Sequence, residues 1–124
     1  MRQNRAARVG DEIQKIISTL LMTELKDPRI PIMTSVLEVR MSKDLTHATV
    51  YLSVMGSSKD KAECREAFSS AAGFIRREVG HRIQLRVVPE FTFTIDESIE
   101  KGMELMSMID RVRKEDERRA NQHE

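Results

Sequence analysis

Phe68-Ser69-Ser70-Ala71-Ala72-Gly73-Phe74-Ile75-Arg76-Arg77 is the stretch on which the fold turns. Apolar residues recur through and around it at helical spacing, at Cys64, Phe68, Ala71, Ile75 and Val79. A glycine inside a helix costs about 1 kcal/mol relative to alanine, so Gly73 implies either a kink or a close backbone approach. The spacing predicts two helices, 59–72 and 73–80, meeting at the small-residue corner Ala71-Ala72-Gly73. Gly80 suits a left-handed position at the end of the second helix. Arg76 and Arg77 follow the corner at once, and a bent helix flanked by guanidinium groups is one way to present a surface to a polyanion.

Upstream, residues 5–26 carry one apolar stripe: Ala6, Val9, Ile13, Ile16, Ile17, Leu20, Leu21 and Leu25. Asn4 is the expected N-cap, and Asp27-Pro28 is expected to stop the helix, because a residue before proline is pushed out of the α region. Two segments of period two follow. In residues 34–41, Leu37, Val39 and Met41 alternate with Glu38 and Arg40. In residues 47–54, Ala48, Val50, Leu52 and Val54 alternate with His47, Thr49, Tyr51 and Ser53. The polar link between them, residues 42–46, has hairpin length. Ser57 or Ser58 is the expected cap of the next helix.

Downstream, residues 90–96 read as a third strand, with Phe91, Phe93 and Ile95 on one face and Pro89 at its start. Residues 98–112 read as a helix with Ile99, Met103, Met106 and Ile109 on one side, and core filling is the expected use of its methionines. Residues 113–124 have no apolar stripe and are expected to be a charged tail without fixed structure. The expected organisation is one domain over residues 1–112 plus that tail. Each strand has one apolar and one polar face, which predicts an α+β fold: a three-stranded sheet with helices on one side and water on the other.

The 124 residues suffice for one core without disulfides. The single cysteine, Cys64, fits a reducing compartment and lies on an apolar stripe, where it is a small core residue rather than a nucleophile. No stretch reaches the roughly 20 apolar residues of a membrane span, and no secretory signal is visible, so the cytoplasm is the expected location. Net charge is only +1, so any polyanion binding must come from uneven placement. Residues 1–10 carry Arg2, Arg5 and Arg8 with no acid. Residues 76–86 carry Arg76, Arg77, Arg82 and Arg86 against Glu78, whereas residues 87–112 are acidic on balance.

Enzymatic motifs are missing. Gly56-Ser57-Ser58-Lys59 lacks the spacing of a phosphate-binding loop, and there is no dinucleotide-binding glycine pattern. His47, His81 and His123 are scattered, so no metal site and no cofactor are expected. Adjacent Asp96 and Glu97 make a poor acid/base pair and better suit the start of a helix. With no Trp and five aromatics, a sheet surface that stacks bases is disfavoured.

The ordered set Arg8-Val9, Ile13-Gln14-Lys15-Ile16, Lys26-Asp27-Pro28-Arg29, Ser42-Lys43-Asp44-Leu45, Ala48-Thr49-Val50-Tyr51, Ala71-Ala72-Gly73-Phe74-Ile75-Arg76, Leu85-Arg86 and Val88-Pro89-Glu90-Phe91-Thr92-Phe93 resembles the ribosome-binding factor A family over roughly residues 5–110. The resemblance implies a type II KH-like domain of order α-β-β-α-kink-α-β, to which the residues here add a C-terminal helix. It also implies that Ala71-Ala72-Gly73 replaces the GXXG loop with which ordinary KH domains clamp nucleic-acid backbone. By resemblance the expected partners are the immature 30S ribosomal subunit and its 16S rRNA. The implied role is support of late assembly and 16S rRNA 5′-end processing, most needed in the cold.

The reading that follows is a non-catalytic, monomeric RNA-binding assembly factor with no small-molecule substrate and no membrane partner. Its expected RNA contacts are Arg76, Arg77, Arg82 and Arg86, extended by Lys43, Arg29, Arg8, Arg5 and Arg2. The alternative is a protein-interaction module docking on a ribosomal protein or assembly enzyme through the acidic, Met-rich segment 97–112.

Overall fold

Helix α1 (Arg5–Thr23) lays its apolar stripe over a sheet whose strands are β1 (Ser35–Met41), β2 (His47–Ser53) and β3 (Glu90–Ile95). Between the last two strands lie α2 (Ser58–Ser70) and α3 (Ala72–Arg82), and α4 (Ser98–Gln122) closes the chain. This is a computed structural model, and it describes residues 5–122. The Asn4 cap and Arg2 expected from sequence lie outside the described residues.

The sheet order is β1-β2-β3, with β1 and β2 antiparallel and β2 and β3 parallel. Period two dictates what is buried: Ala48, Val50 and Leu52 of β2 are fully buried, while His47, Thr49 and Tyr51 point to the other face. One strand departs from the expected alternation. The β1–β2 register shifts between Val36 and Glu38, a bulge that places Val36 in the core and leaves Leu37 36% exposed. Leu37 therefore does not share the apolar face of Val39, because one extra residue flips the side chain before it.

The α1 stripe buries Val9, Ile13, Ile17 and Leu20. Gly10 lies on that same buried face, and a Cβ there would collide with the Val39 carbonyl, so the helix and β1 meet backbone to backbone at this point. The helix ends at Thr23, short of the expected residue 26. The Leu25 N–H reaches back to the Leu20 carbonyl at 2.8 Å, which tucks half-buried Leu25 against the core before Pro28 acts.

Helix α2 begins with a capping box. The Asp60 N–H donates to the Ser57 hydroxyl and the Ser57 N–H to the Asp60 carboxylate, at 3.1 and 2.9 Å. The expected corner is present. Ala71 sits between α2 and α3 with φ −87° and ψ 0°, so the break falls one residue earlier than the expected boundary and two before Gly73. Gly73 has negative φ, and nothing lies within 4 Å of where its Cβ would be, so no close approach explains it. Gly80 is likewise not a left-handed terminus. It lies within α3, where an added Cβ would come within 3.0 Å of the Val88 side chain, and α3 ends instead on extended Ile83.

Phe68 anchors the core against Phe93, with ring centroids 5.3 Å apart, and Cys64 and Ile75 are buried in the same cluster. Burial raises the Cys64 thiol above its ordinary value, consistent with an inert core residue. Two expectations fail in α4. It runs unbroken to Gln122, across the segment 113–122 expected to lack structure, with Arg113–Asp110 and Arg119–Glu115 pairs one turn apart along it. Its methionines do not fill the core: Met103, Met106 and Met108 are 56 to 62% exposed. The reason is that α1, α2 and α3 already cover the apolar face of the sheet.

Candidate nucleic-acid interface

Cationic side chains divide into those already engaged within the fold and those left to solvent. Arg76 leaves α3 to donate to two backbone carbonyls, Nε to Pro89 and Nη2 to Val88, both at 3.2 Å. It ties α3 to the approach of β3, where Pro89 cannot donate to the ladder itself. Arg82 pairs with Glu78 at 3.6 Å one turn back. Arg29 forks onto Asp27 through Nε and Nη2 at 3.1 and 2.8 Å, and its charge also lies near Glu63 and Glu66. That pair holds the Asp27 carboxyl below its ordinary value and raises Arg29. Arg40 pairs with Glu38 at 3.0 Å and lies over the Tyr51 ring, 5.1 Å from its centroid.

Arg5, Arg8, Lys43, Arg65, Arg77 and Arg86 are exposed and carry no ion pair among the described residues. Within 76–86, Arg76 and Arg82 are thus engaged inside the fold, while Arg77 and Arg86 are not, among the described residues. The fold brings Arg86 and Arg5, 81 residues apart, to one cleft walled by Asp44, Leu45, Thr46, Leu85 and Val87. Lys43 adjoins this cleft in the β1–β2 connection, and Arg8 lies one turn along α1 from Arg5. Arg29 is excluded from this group, because it follows α1 and the helix separates the two ends by about 28 Å at 1.5 Å per residue.

The hairpin side of the cleft is held firmly. Asp44 Oδ1 accepts from the Ser42 hydroxyl at 2.7 Å and from the Thr46 N–H and hydroxyl at 3.1 and 2.8 Å. These donors hold its carboxyl down at about 2. Leu45 takes a left-handed conformation with φ 62°, and its side chain packs on the core. The Glu90 N–H then donates to the Thr46 carbonyl at 3.0 Å, joining the hairpin to β3.

No group of three or more His, Cys, Asp or Glu among the described residues is placed to hold a metal ion. No helix among them is long and apolar enough to cross a membrane. At the other end of the sheet, Lys61 of α2 is 14% exposed and grips Glu97 and Glu100 at the start of α4; the Glu100 contact raises Lys61 above its ordinary value.

A family model described as ribosome-binding factor A matches residues 5–109, and that span includes both α1 and the cleft. The chain belongs to the ribosome-binding factor A family. It is 46% identical over 117 residues to ribosome-binding factor A of Clostridium tetani (strain Massachusetts / E88), covering 94% of this chain and 97% of that protein. It is 50% identical over 105 residues to ribosome-binding factor A of Acetivibrio thermocellus, covering 85% of each. Among solved structures it is similar to the Thermus thermophilus ribosome binding factor A as fitted into the cryo-EM map of a 30S complex. The TM-score is 0.61 at 22% identity, over 74% of this chain and 96% of that one. That last likeness supports the fold alone, an α+β body with the α-β-β-α-α-β order described above.

Proposed function

We propose that this chain binds immature small ribosomal subunits and supports their late maturation through 16S rRNA, without catalysing bond chemistry. The observation that carries the reading is membership of the ribosome-binding factor A family over residues 5–109, together with exposed arginines on the matched body that have no ion pair among the described residues. The related Thermus thermophilus protein has been placed in a 30S complex. Arg5, Arg8, Lys43, Arg77 and Arg86 are the contacts this reading assigns to phosphate; Arg76, Arg82 and Arg29 are left to internal bonds. Binding one conformation of a junction in folded rRNA shifts its population by the difference in affinity between conformations, and needs no catalytic group. Assistance to 16S rRNA 5′-end processing and a greater need in the cold follow from the same reading, in the cytoplasm where subunits assemble.

The test is binding of purified chain to small-subunit precursors. Arg5→Ala/Arg77→Ala/Arg86→Ala is expected to bind weakly and with a flattened salt dependence, because fewer counterions are released. Wild-type affinity and salt slope in a folded triple variant overturn the reading.

One observation favours a second reading. Seven large apolar residues of α4 (Ile99, Met103, Leu105, Met106, Met108, Ile109 and Val112) are each between 47 and 62% exposed. A helix face of that kind suits docking on a ribosomal protein or assembly enzyme. Free rRNA added as competitor discriminates: an RNA binder is displaced from subunits, a protein docker is not.

A further inference from the structure

We propose that the cleft between Arg5 and Arg86 seats a single phosphate group of an RNA backbone. The proposal deepens the RNA-binding reading and rests on it. Three separate stretches build the cleft: the first residue of α1, the β1–β2 connection and the segment between α3 and β3. Its volume is about 170 Å³, well below the roughly 300–1,000 Å³ of sites that enclose a whole small molecule. That is on the scale of one phosphate group rather than of an enclosed nucleoside.

The chemistry of the walls fits that ligand. Arg5 and Arg86 are exposed and neither has an ion pair among the described residues, whereas Arg82, Arg29 and Arg40 pair with carboxylates and Arg76 is hydrogen-bonded to backbone carbonyls. Planar guanidinium forks match phosphate oxygens, and two of them from different elements fix orientation as well as charge. Asp44 is the one acid in the wall among the described residues. Its Oδ1 is saturated by Ser42 and Thr46, so it serves the turn, yet its charge opposes an anion. Binding at this site therefore depends on both arginines together. The site reads phosphate and not base, so it positions RNA without selecting sequence.

The measurement is an NMR titration of the full chain with inorganic phosphate at constant ionic strength, following arginine Nε–H and backbone N–H signals. Saturable shifts are expected at Arg5, Arg86 and Val87, with Arg65 serving as an exposed control outside the cleft. Arg86→Ala is expected to weaken the response at Arg5 roughly tenfold. Asp44→Asn keeps the Oδ1 acceptor of the turn and is expected to tighten phosphate binding severalfold, a gain that a merely structural role of Asp44 does not produce. A short RNA lacking terminal phosphates is expected to compete with inorganic phosphate for Arg86, which identifies the backbone as the source.

Even, non-saturating shifts of every exposed arginine, or a phosphate response indifferent to Arg86→Ala, overturn the cleft. Failure of RNA to compete overturns the backbone assignment. Those failures are distinct from failure of the RNA-binding reading, which is decided by subunit affinity of the triple variant.

Discussion

At the residue scale, the decisive glycine is Gly10, not Gly73. Both stand in helices, but only Gly10 has another backbone against it, the Val39 carbonyl. Gly10→Ala is expected to destabilise the fold by about 2–3 kcal/mol, because neither α1 nor β1 can yield without disturbing the core. That corresponds to a fall of roughly 10 °C in Tm, measurable by calorimetry. Gly73→Ala, with open space around the site, is expected to leave Tm unchanged or raise it by an amount worth up to about 1 kcal/mol, with the corner at Ala71 intact. The sequence contained a cue for Gly10, since it interrupts the buried stripe between Val9 and Ile13, but stripe analysis rewards apolar residues and passes over a missing side chain. Acid behaviour also belongs at this scale. Asp44 is held at about 2, and Asp27, Asp60 and Asp96 lie below the ordinary 3.8, each through hydrogen bonds of its own turn or cap. In the unfolded chain these carboxyls return to their ordinary values, so below about pH 4 the unfolded state binds more protons. Their stabilisation is complete at neutral pH and is lost as pH falls through each folded value. Thermal melts should therefore be nearly flat from pH 7 to about pH 5 and fall below about pH 4, and Asp44→Asn should make that fall shallower.

At the element scale, helices and strands were legible wherever one face is buried, because burial imposes the period. The α1 stripe and the alternation in β2 and β3 follow from it, whereas the break near Ala71 was legible from the small-residue corner. The β1 bulge was not legible: Val36 and Leu37 are equally apolar, and only pairing with β2 decides which turns inward. Nor was the fate of α4. Its amphipathic pattern implies a cover without saying whether the cover is internal. The Lys61 clamp on Glu97 and Glu100 fixes only its first turn. Lys61→Ala is expected to speed hydrogen exchange in residues 98–104 while exchange in β2 and α1 stays unchanged. Equal exchange in both variants would mean the clamp does not hold α4. Ser57→Ala removes one half of the α2 capping box and is expected to cost about 1 kcal/mol in denaturant unfolding.

At the scale of the whole molecule, position along the sequence does not tell which arginines the fold engages internally. Residues 76–86 look like one basic run, yet α3 sends Arg76 to the Val88 and Pro89 carbonyls and Arg82 to Glu78, while Arg86 lies beyond the helix and lines a cleft with Arg5. No local pattern announces that residues 81 positions apart line one cleft; the cleft exists only once the sheet has brought α1, the hairpin and the β3 approach to one end. The molecule thus offers two different surfaces, a cationic end at the hairpin and an apolar helix beyond β3. The central claim is that the cationic end meets ribosomal RNA. Site-specific photocrosslinking to small-subunit precursors tests it most directly, with the probe at exposed Val87 in the cleft wall and, separately, at Met106 on α4. The account predicts that the position 87 probe captures 16S rRNA. Capture of protein alone from position 106, with no rRNA captured from position 87, would contradict it.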